Sequence, residues 1–223
     1  MLALLVDPEE TTPDDIPELM RYTSDTTISL VFVGGSLVTN SVEPLVRSIK
    51  KHCSAPVVLF PGNPAQLSNS ADGLLLLSLI SGRNPEFLIG NHVISAQYLK
   101  QSSLEIIPTG YMLFENDAIS SVEYMSNTKP LPRNKPEIAV STAIAGELLG
   151  LKIIYLEGGS GAGEIIPAEI ISAVKENINI PLIVGGGIRS AGDLTRVFDS
   201  GADIAVIGNA IEKNSEILKD IVI

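Results

Sequence analysis

Residues 182–209 read LIVGGGIRSAGDLTRVFDSGADIAVIGN. Two short apolar runs, Leu182–Val184 and Ile204–Ile207, pass directly into glycine, at Gly185-Gly186-Gly187 and at Gly208-Asn209. Between them Ser190 is followed three residues later by Asp193, a pairing that starts a helix, and Gly201 supplies a left-handed stop. The order strand, glycine turn, helix, glycine stop, strand is that of βα units. Because the runs are apolar throughout rather than alternately, both faces of each strand must be covered, as in a parallel sheet.

The same rhythm extends back to the first residues. Apolar runs stand at Leu2–Val6, Ser29–Val33, Val57–Phe60, Leu74–Leu77, Leu104–Ile107 and Ile153–Leu156, making eight with the two above. Helix starts lie between most of them. Thr12-Pro13-Asp14-Asp15 offers a cap, a first-turn proline and carboxylates at the positive end of the helix dipole, and Asn84-Pro85-Glu86 repeats the device. Eight strands in this order predict a closed TIM (β/α)8 barrel, one domain over residues 1–223. The connection from Phe60 to Gly73 breaks the pattern, since Pro61-Gly62-Asn63-Pro64 and Asn69-Ser70 leave little room for a crossover helix. The third helix is therefore expected to be shortened or missing. Thr128–Arg133 reads as an extended loop.

Bulk composition narrows the function. The chain of 223 residues is 45% hydrophobic and 18% charged, enough for a large core. A net charge of −11 repels polyanions and argues against nucleic-acid binding, so a phosphate ligand needs local donors or a metal. No apolar run approaches the ~20 residues of a membrane span and no leader pattern opens the chain. A cytoplasmic protein without a transmembrane segment is expected. Cys53 stands alone among Lys50, Lys51 and His52, which excludes an internal disulfide and reads as a helix-end position.

In such a barrel the reactive groups stand at strand C-termini. The glycine turns around Gly186, Gly187 and Gly208 let backbone N–H groups approach an anion beside a helix start, a phosphate cradle. After the sixth strand comes Tyr155-Leu156-Glu157-Gly158-Gly159-Ser160-Gly161. Glu157 is placed to accept a proton from a substrate hydroxyl or to bond loop amides, and Tyr155 either bonds the ligand or fills the barrel. Asp7 after the first strand and Ser36 of Gly34-Gly35-Ser36 after the second bring a carboxylate and a hydroxyl to the rim, an acceptable partial shell for Mg²⁺, while Asp7 read alone equally fits a helix-entry cap. His92 lies in a helical pattern with no partnered motif and is given no catalytic role.

Together with Ser81-Gly82-Arg83-Asn84-Pro85, Pro108-Thr109-Gly110-Tyr111 and Gly185–Arg189, these stretches resemble the geranylgeranylglyceryl phosphate synthases and their bacterial heptaprenyl relatives, from first strand to last. The resemblance implies a barrel whose third helix is replaced by an extended segment. It implies Mg²⁺ held by Asp7 and Ser36, and sn-glycerol 1-phosphate bound by Tyr155, Leu156, Glu157, Gly158, Gly159, Ser160 and Gly161, with Glu157 as the base. Its phosphate falls to Gly186, Gly187, Gly208 and Asn209. The implied reaction is ether-bond formation between the C3 hydroxyl of sn-glycerol 1-phosphate and a prenyl diphosphate, geranylgeranyl by preference. The Glu157–Gly161 loop is similar to the group II branch, which implies a homo-oligomer, dimer or hexamer. Two departures stand out. Leu5 occupies the position where group I carries a lysine, and no helix precedes the first strand, so a less well closed barrel bottom is expected. The tail would take an apolar groove along Leu74–Ile80 and Thr109–Phe114. Two other readings fit the glycine cradle: a phosphate-binding isomerase or lyase of amino-acid or thiamine biosynthesis, and a non-catalytic phosphate-binding barrel.

Overall fold

The computed structural model describes residues 1–23, 28–159 and 161–208. Eight parallel strands close on themselves in chain order. They are β1 (Leu2–Val6), β2 (Ile28–Val33), β3 (Val57–Leu59), β4 (Gly73–Leu79), β5 (Glu105–Leu113), β6 (Ile153–Glu157), β7 (Leu182–Gly185) and β8 (Ile204–Ile207). Closure comes from β1 and β8, with Leu2 opposite Ala205 and Leu4 opposite Ile207. The expected TIM barrel is present, and every apolar run picked out in the sequence is one of its strands.

Alternation along each strand divides the core into two layers. Ala3, Phe32, Val58, Leu75, Tyr111, Tyr155, Ile183 and Val206 point inward and fill the barrel, while Leu4, Val31, Leu74, Ile154, Leu156 and Val184 point outward beneath the helices. Those helices are α1 (Ile16–Thr23), α2 (Glu43–His52), α3 (Asn91–Gln101), α4 (Ser121–Ser126), α5 (Pro136–Leu148), α6 (Ala168–Asn177) and α7 (Ala191–Asp199). At α7 the Ser190 hydroxyl accepts from the Asp193 N–H at 3.1 Å, and Gly201 ends the segment at φ +104°, both as the sequence suggests. The first helix starts later than expected. Residues 13–15 form a turn, and the Asp15 carboxylate reaches back to the Thr12 N–H at 2.8 Å and its hydroxyl at 2.6 Å, so the acid caps this entry. The Asn84-Pro85 start opens as one π-type turn, Glu86–Gly90, before α3 begins. Cys53 is the C-terminal cap of α2.

No helix spans residues 60–72. Polar side chains hold this segment instead. The Gln66 amide, 1% exposed, donates to Gly35 O at 2.9 Å and accepts from Gly62 N at 3.2 Å. Ser68 and Ser70 donate to the Glu43 carboxylate at the start of α2, and Asp72 accepts from Val57 N at 2.9 Å while pairing with Lys50 at 2.6 Å. The short connection also shortens the ladder. β3 pairs with β4 only at Val58–Gly73 and Leu59–Leu74, whereas β4 pairs with β5 from Gly73 through Leu79. The upper part of β4 thus presents an edge on its β3 side. Gly34 explains how β2 and β3 converge there, because a Cβ at this position would lie 1.9 Å from Phe60 O.

The hydroxyls of Ser68 and Ser70, with the Arg47 guanidinium beside them, hold the Glu43 carboxyl down at about 2. A depressed carboxyl contributes stability above its unfolded value and loses it as pH falls through its folded one. Glu43→Gln is expected to lower the thermal midpoint relative to the native chain at pH 7, with the difference shrinking between pH ~4.5 and ~2. Paired melting curves across that range check it.

Candidate active site

One cavity of about 430 Å³ opens at the C-terminal end of the barrel. Asp7, Gly35, Ser36, Glu157, Gly159, Gly161, Gly186, Gly187 and Gly208 all line it, although they come from five different strand ends. The cavity then continues over the free edge of β4. Leu67, Leu74, Leu76 and Leu99 line that branch, together with His92 and Ser95 from one side of α3. A polar rim and an apolar branch therefore share one space.

Glu157 is the last residue of β6 and 7% exposed. Its Oε1 accepts from the Gly159 N–H at 2.6 Å. Burial pushes its carboxyl above the usual range, while the Gly159 amide and the hydroxyls of Tyr155 and Tyr111 pull it back down. Tyr155 is wholly buried and its hydroxyl has no partner of normal hydrogen-bond geometry, so its pull on Glu157 is that of a longer-range dipole. Burial and the neighbouring Glu157 charge keep both tyrosines protonated, pushing them well above their ordinary values.

The glycines around this carboxylate are there for space. Gly186 has φ +85°, and a Cβ on it would meet Glu157 Oε1 at 2.8 Å. Gly187 has φ +78° and packs against the backbone of Glu164. A Cβ on Gly185 would lie 2.3 Å from the Tyr155 hydroxyl. Arg189 ties the two loops together by donating to Ala162 O at 2.8 Å and Gly161 O at 3.2 Å.

At the opposite side of the rim the half-buried Asp7 carboxylate accepts from Glu9 N at 3.0 Å. Burial raises its pKa and the neighbouring Glu10 and Glu9 charges add to the rise, against the Glu9 amide. Gly35 makes room for it, since a Cβ there would stand 2.7 Å from Oδ1. Among the described residues no group of three His, Cys, Asp or Glu side chains could hold a metal. One carboxylate and one hydroxyl, Asp7 and Ser36, are hard oxygens that suit Mg²⁺ completing its shell with water and substrate oxygens. They do not suit a closed zinc site.

The remaining positions singled out in the sequence divide as follows. Leu156 does not face the cavity, because alternation on β6 sends its side chain into the outer core between Tyr155 and Glu157, which point inward. Gly158 extends the β6–β7 ladder, donating to Gly185 O at 2.9 Å. Ser160 and Asn209 lie outside the described residues. Sequence reasoning missed Phe60 and left Tyr111 as a groove residue. Both rings lie against Tyr155, Phe60 stacked at 5.2 Å and Tyr111 tilted at 5.3 Å. The inward phase of β3 and β5 was the available signal. His92, set aside earlier, stands on the cavity wall with Nε2 3.1 Å from Ser78 Oγ and its buried Nδ1 unpartnered. Burial lowers its pKa, favouring the neutral ring.

Residues 2–223 match the PcrB family. This chain belongs to the PcrB family. A relative from Spirosoma linguale, named geranylgeranylglyceryl phosphate synthase, is 47% identical over 97% of this chain and 87% of its own length. Among solved structures, wild-type GGGPS from Thermoplasma volcanium is 31% identical with a TM-score of 0.92, covering 99% of this chain and 90% of that one. The (S)-3-O-geranylgeranylglyceryl phosphate synthase of Thermoplasma acidophilum, solved in complex with substrate sn-glycerol-1-phosphate, superposes with a TM-score of 0.93 at 28% identity, over 100% of this chain and 91% of that one. The barrel fold is therefore shared with both solved structures over nearly the full length of each chain.

Gly186→Ala places a methyl group against Glu157 Oε1 at positive φ, where an L residue is strained. It is expected to displace the carboxylate and to destabilise the fold by about 1–3 kcal/mol. Melting curves of the variant and the native chain measure the loss.

Proposed function

We propose that this protein joins a long-chain prenyl diphosphate, geranylgeranyl by preference, to the C3 hydroxyl of sn-glycerol 1-phosphate with release of diphosphate, the first ether bond of archaeal-type membrane lipids. The observation that carries the proposal is the shape of the cavity at the barrel mouth: a rim of acids and glycines continuous with an apolar branch over the β4 edge. An amphiphile with a charged head and a long hydrocarbon tail needs both parts in one space. The names of the relatives and the sn-glycerol-1-phosphate bound to the Thermoplasma acidophilum protein support the same substrates. An isomerase or lyase acting on a small phosphorylated metabolite has no use for the apolar branch.

Each residue has a role on this reading. The backbone of Gly186, Gly187 and Gly208 holds the acceptor phosphate, with Ser160 and Asn209 completing the cradle. Leu5, rather than a lysine, lies beside Gly208. Arg189 keeps the Gly161–Ala162 loop closed over the acceptor. Glu157 takes the proton of the attacking hydroxyl, its Oε1 already oriented by the Gly159 amide. Asp7 and Ser36 hold Mg²⁺, which when bound neutralises charge gathering on the departing diphosphate. Leu74–Leu77 and Leu79 shed water from the tail. A homodimer or homohexamer is the assembly that goes with the family likeness. No helix among the described residues is long and apolar enough to cross a membrane.

Glu157→Gln is expected to lower kcat by about a hundredfold or more while leaving acceptor affinity within about twofold. Incubation with labelled sn-glycerol 1-phosphate and a ladder of prenyl diphosphates, with and without EDTA, reads product mass and turnover. Unchanged turnover removes Glu157 as the base, and full activity in EDTA removes the metal.

A buried base sets the pH dependence as well. The carboxylate must be ionised to act, and burial raises its pKa, so kcat/KM falls as pH drops through a value above the ordinary 4.5. Tyr111→Phe removes one of the groups that lower it, and the acid limb is expected to move to higher pH. A limb that stays in place or moves down counts against Glu157 as the titrating group.

A further inference from the structure

We propose that the aromatic rings flooring the barrel mouth, above all Phe60, stabilise positive charge on the allylic carbon of the prenyl donor as its diphosphate departs. The inference rests on the prenyl-transfer reading and adds to it a group that acts on the reacting carbon itself.

Topology alone locates that carbon. The diphosphate is assigned to Asp7 and Ser36, after β1 and β2, and the acceptor hydroxyl to Glu157, at the end of β6. The tail leaves over the edge of β4, between Leu75 and Leu79. C1 of the donor is bonded to the diphosphate, begins the tail and must be reached by the hydroxyl. The only place that meets all three conditions is above the centre of the barrel.

The rings found there come from three strand ends. Phe60 follows β3, Tyr111 is on β5 and Tyr155 is on β6, and all three line the cavity. Phe60 stacks on Tyr155 with 8° between the planes and a centroid distance of 5.2 Å. That distance means an offset stack, which leaves part of each face uncovered. Tyr111 tilts against both, 5.9 Å from Phe60 and 5.3 Å from Tyr155. Tyr155 is fully buried and Tyr111 is 5% exposed, so Phe60, partly exposed, offers the most ring surface to a ligand.

The chemistry asks for such a surface. The glycerol C3 oxygen bonds to C1 as the C1–O bond to diphosphate breaks, the bonding pair leaves with the diphosphate, and the hydroxyl proton passes to Glu157. Bond breaking that runs ahead of bond making leaves positive charge spread over the allylic carbons. The negative ring face attracts such charge, most strongly where water is excluded, and it does so without competing as a nucleophile. Glu157 cannot serve both purposes, because it is committed to the proton and tethered to the Gly159 amide.

The test replaces Phe60 in the full chain with 4-fluoro-, 3,5-difluoro- and 3,4,5-trifluorophenylalanine, which keep the ring shape while withdrawing its negative face stepwise. The expected result is a graded fall in kcat, about tenfold or more at the trifluoro member, with KM for both substrates within about twofold. Phe60→Leu, which removes the ring but keeps an apolar side chain, is expected to fall at least as far in kcat. A series flat in kcat, or one in which only the donor KM moves, overturns the proposal and leaves Phe60 as a wall of the groove. A native protein that makes no ether product in Mg²⁺ removes the prenyl-transfer reading and this proposal with it, so the two failures are distinguishable.

Discussion

The short pairing between β3 and β4 is the constraint on which the arrangement of this molecule depends. In a regular barrel each strand is covered by the helix that follows it, and the sheet is paired along its length. Here Pro61, Gly62 and Pro64 make a helical crossover unfavourable, and only two residue pairs join β3 to β4. The segment that takes the helix's place has few apolar residues to bury, so it is held by hydrogen bonds: Gln66 to the Gly35 backbone, Ser68 and Ser70 to Glu43, Asp72 to Val57. Anchoring of this kind fixes the segment without filling the space a helix would have taken. The cavity inherits that space, and the free upper half of β4 becomes its apolar wall.

A second constraint acts on the opposite side of the mouth. Glu157 is a carboxylate with 7% exposure, and a charge so placed is costly unless it is hydrogen-bonded. The Gly159 amide meets that need at 2.6 Å, and the Tyr111 and Tyr155 hydroxyl dipoles lie nearby. Gly185 and Gly186 follow from the same requirement, since a side chain on either would collide with the Tyr155 hydroxyl or with Glu157. Glycines that read as a phosphate cradle in the sequence leave room, in the structure, for the acid beside them. Gly35 does the same for Asp7 on the far side of the rim.

Much of the architecture was legible because it rests on local signals. Continuous apolar runs marked all the strands, and the Ser190–Asp193 pair with Gly201 marked α7 to within a residue. Helix entry was less legible at Thr12, where a turn intervened and Asp15 took the capping role. The rim residues Asp7, Ser36, Glu157, Gly186 and Gly208 were found because barrel chemistry gathers at strand C-termini, so position in the chain stood in for position in space. Leu156 was carried along by its neighbours in the Tyr-Leu-Glu stretch, although period-two alternation already turned it away from the cavity. Phe60 and His92 carried no motif, and their place at the cavity depends on contacts with distant segments.

The barrel, the order of its strands, the missing third helix and the family were all readable in the residues, because each follows from patterns within a few residues or from motifs at fixed strand ends. Folding in three dimensions was needed to show that the polar rim and the apolar branch form one cavity, that Glu157 is buried near Tyr111 and Tyr155, and that Phe60 lies against the same ring cluster. Those facts arise where side chains from β3, β4, β5 and β6 converge. Convergence of that kind is set by the closure and register of the sheet, which no single stretch of chain encodes.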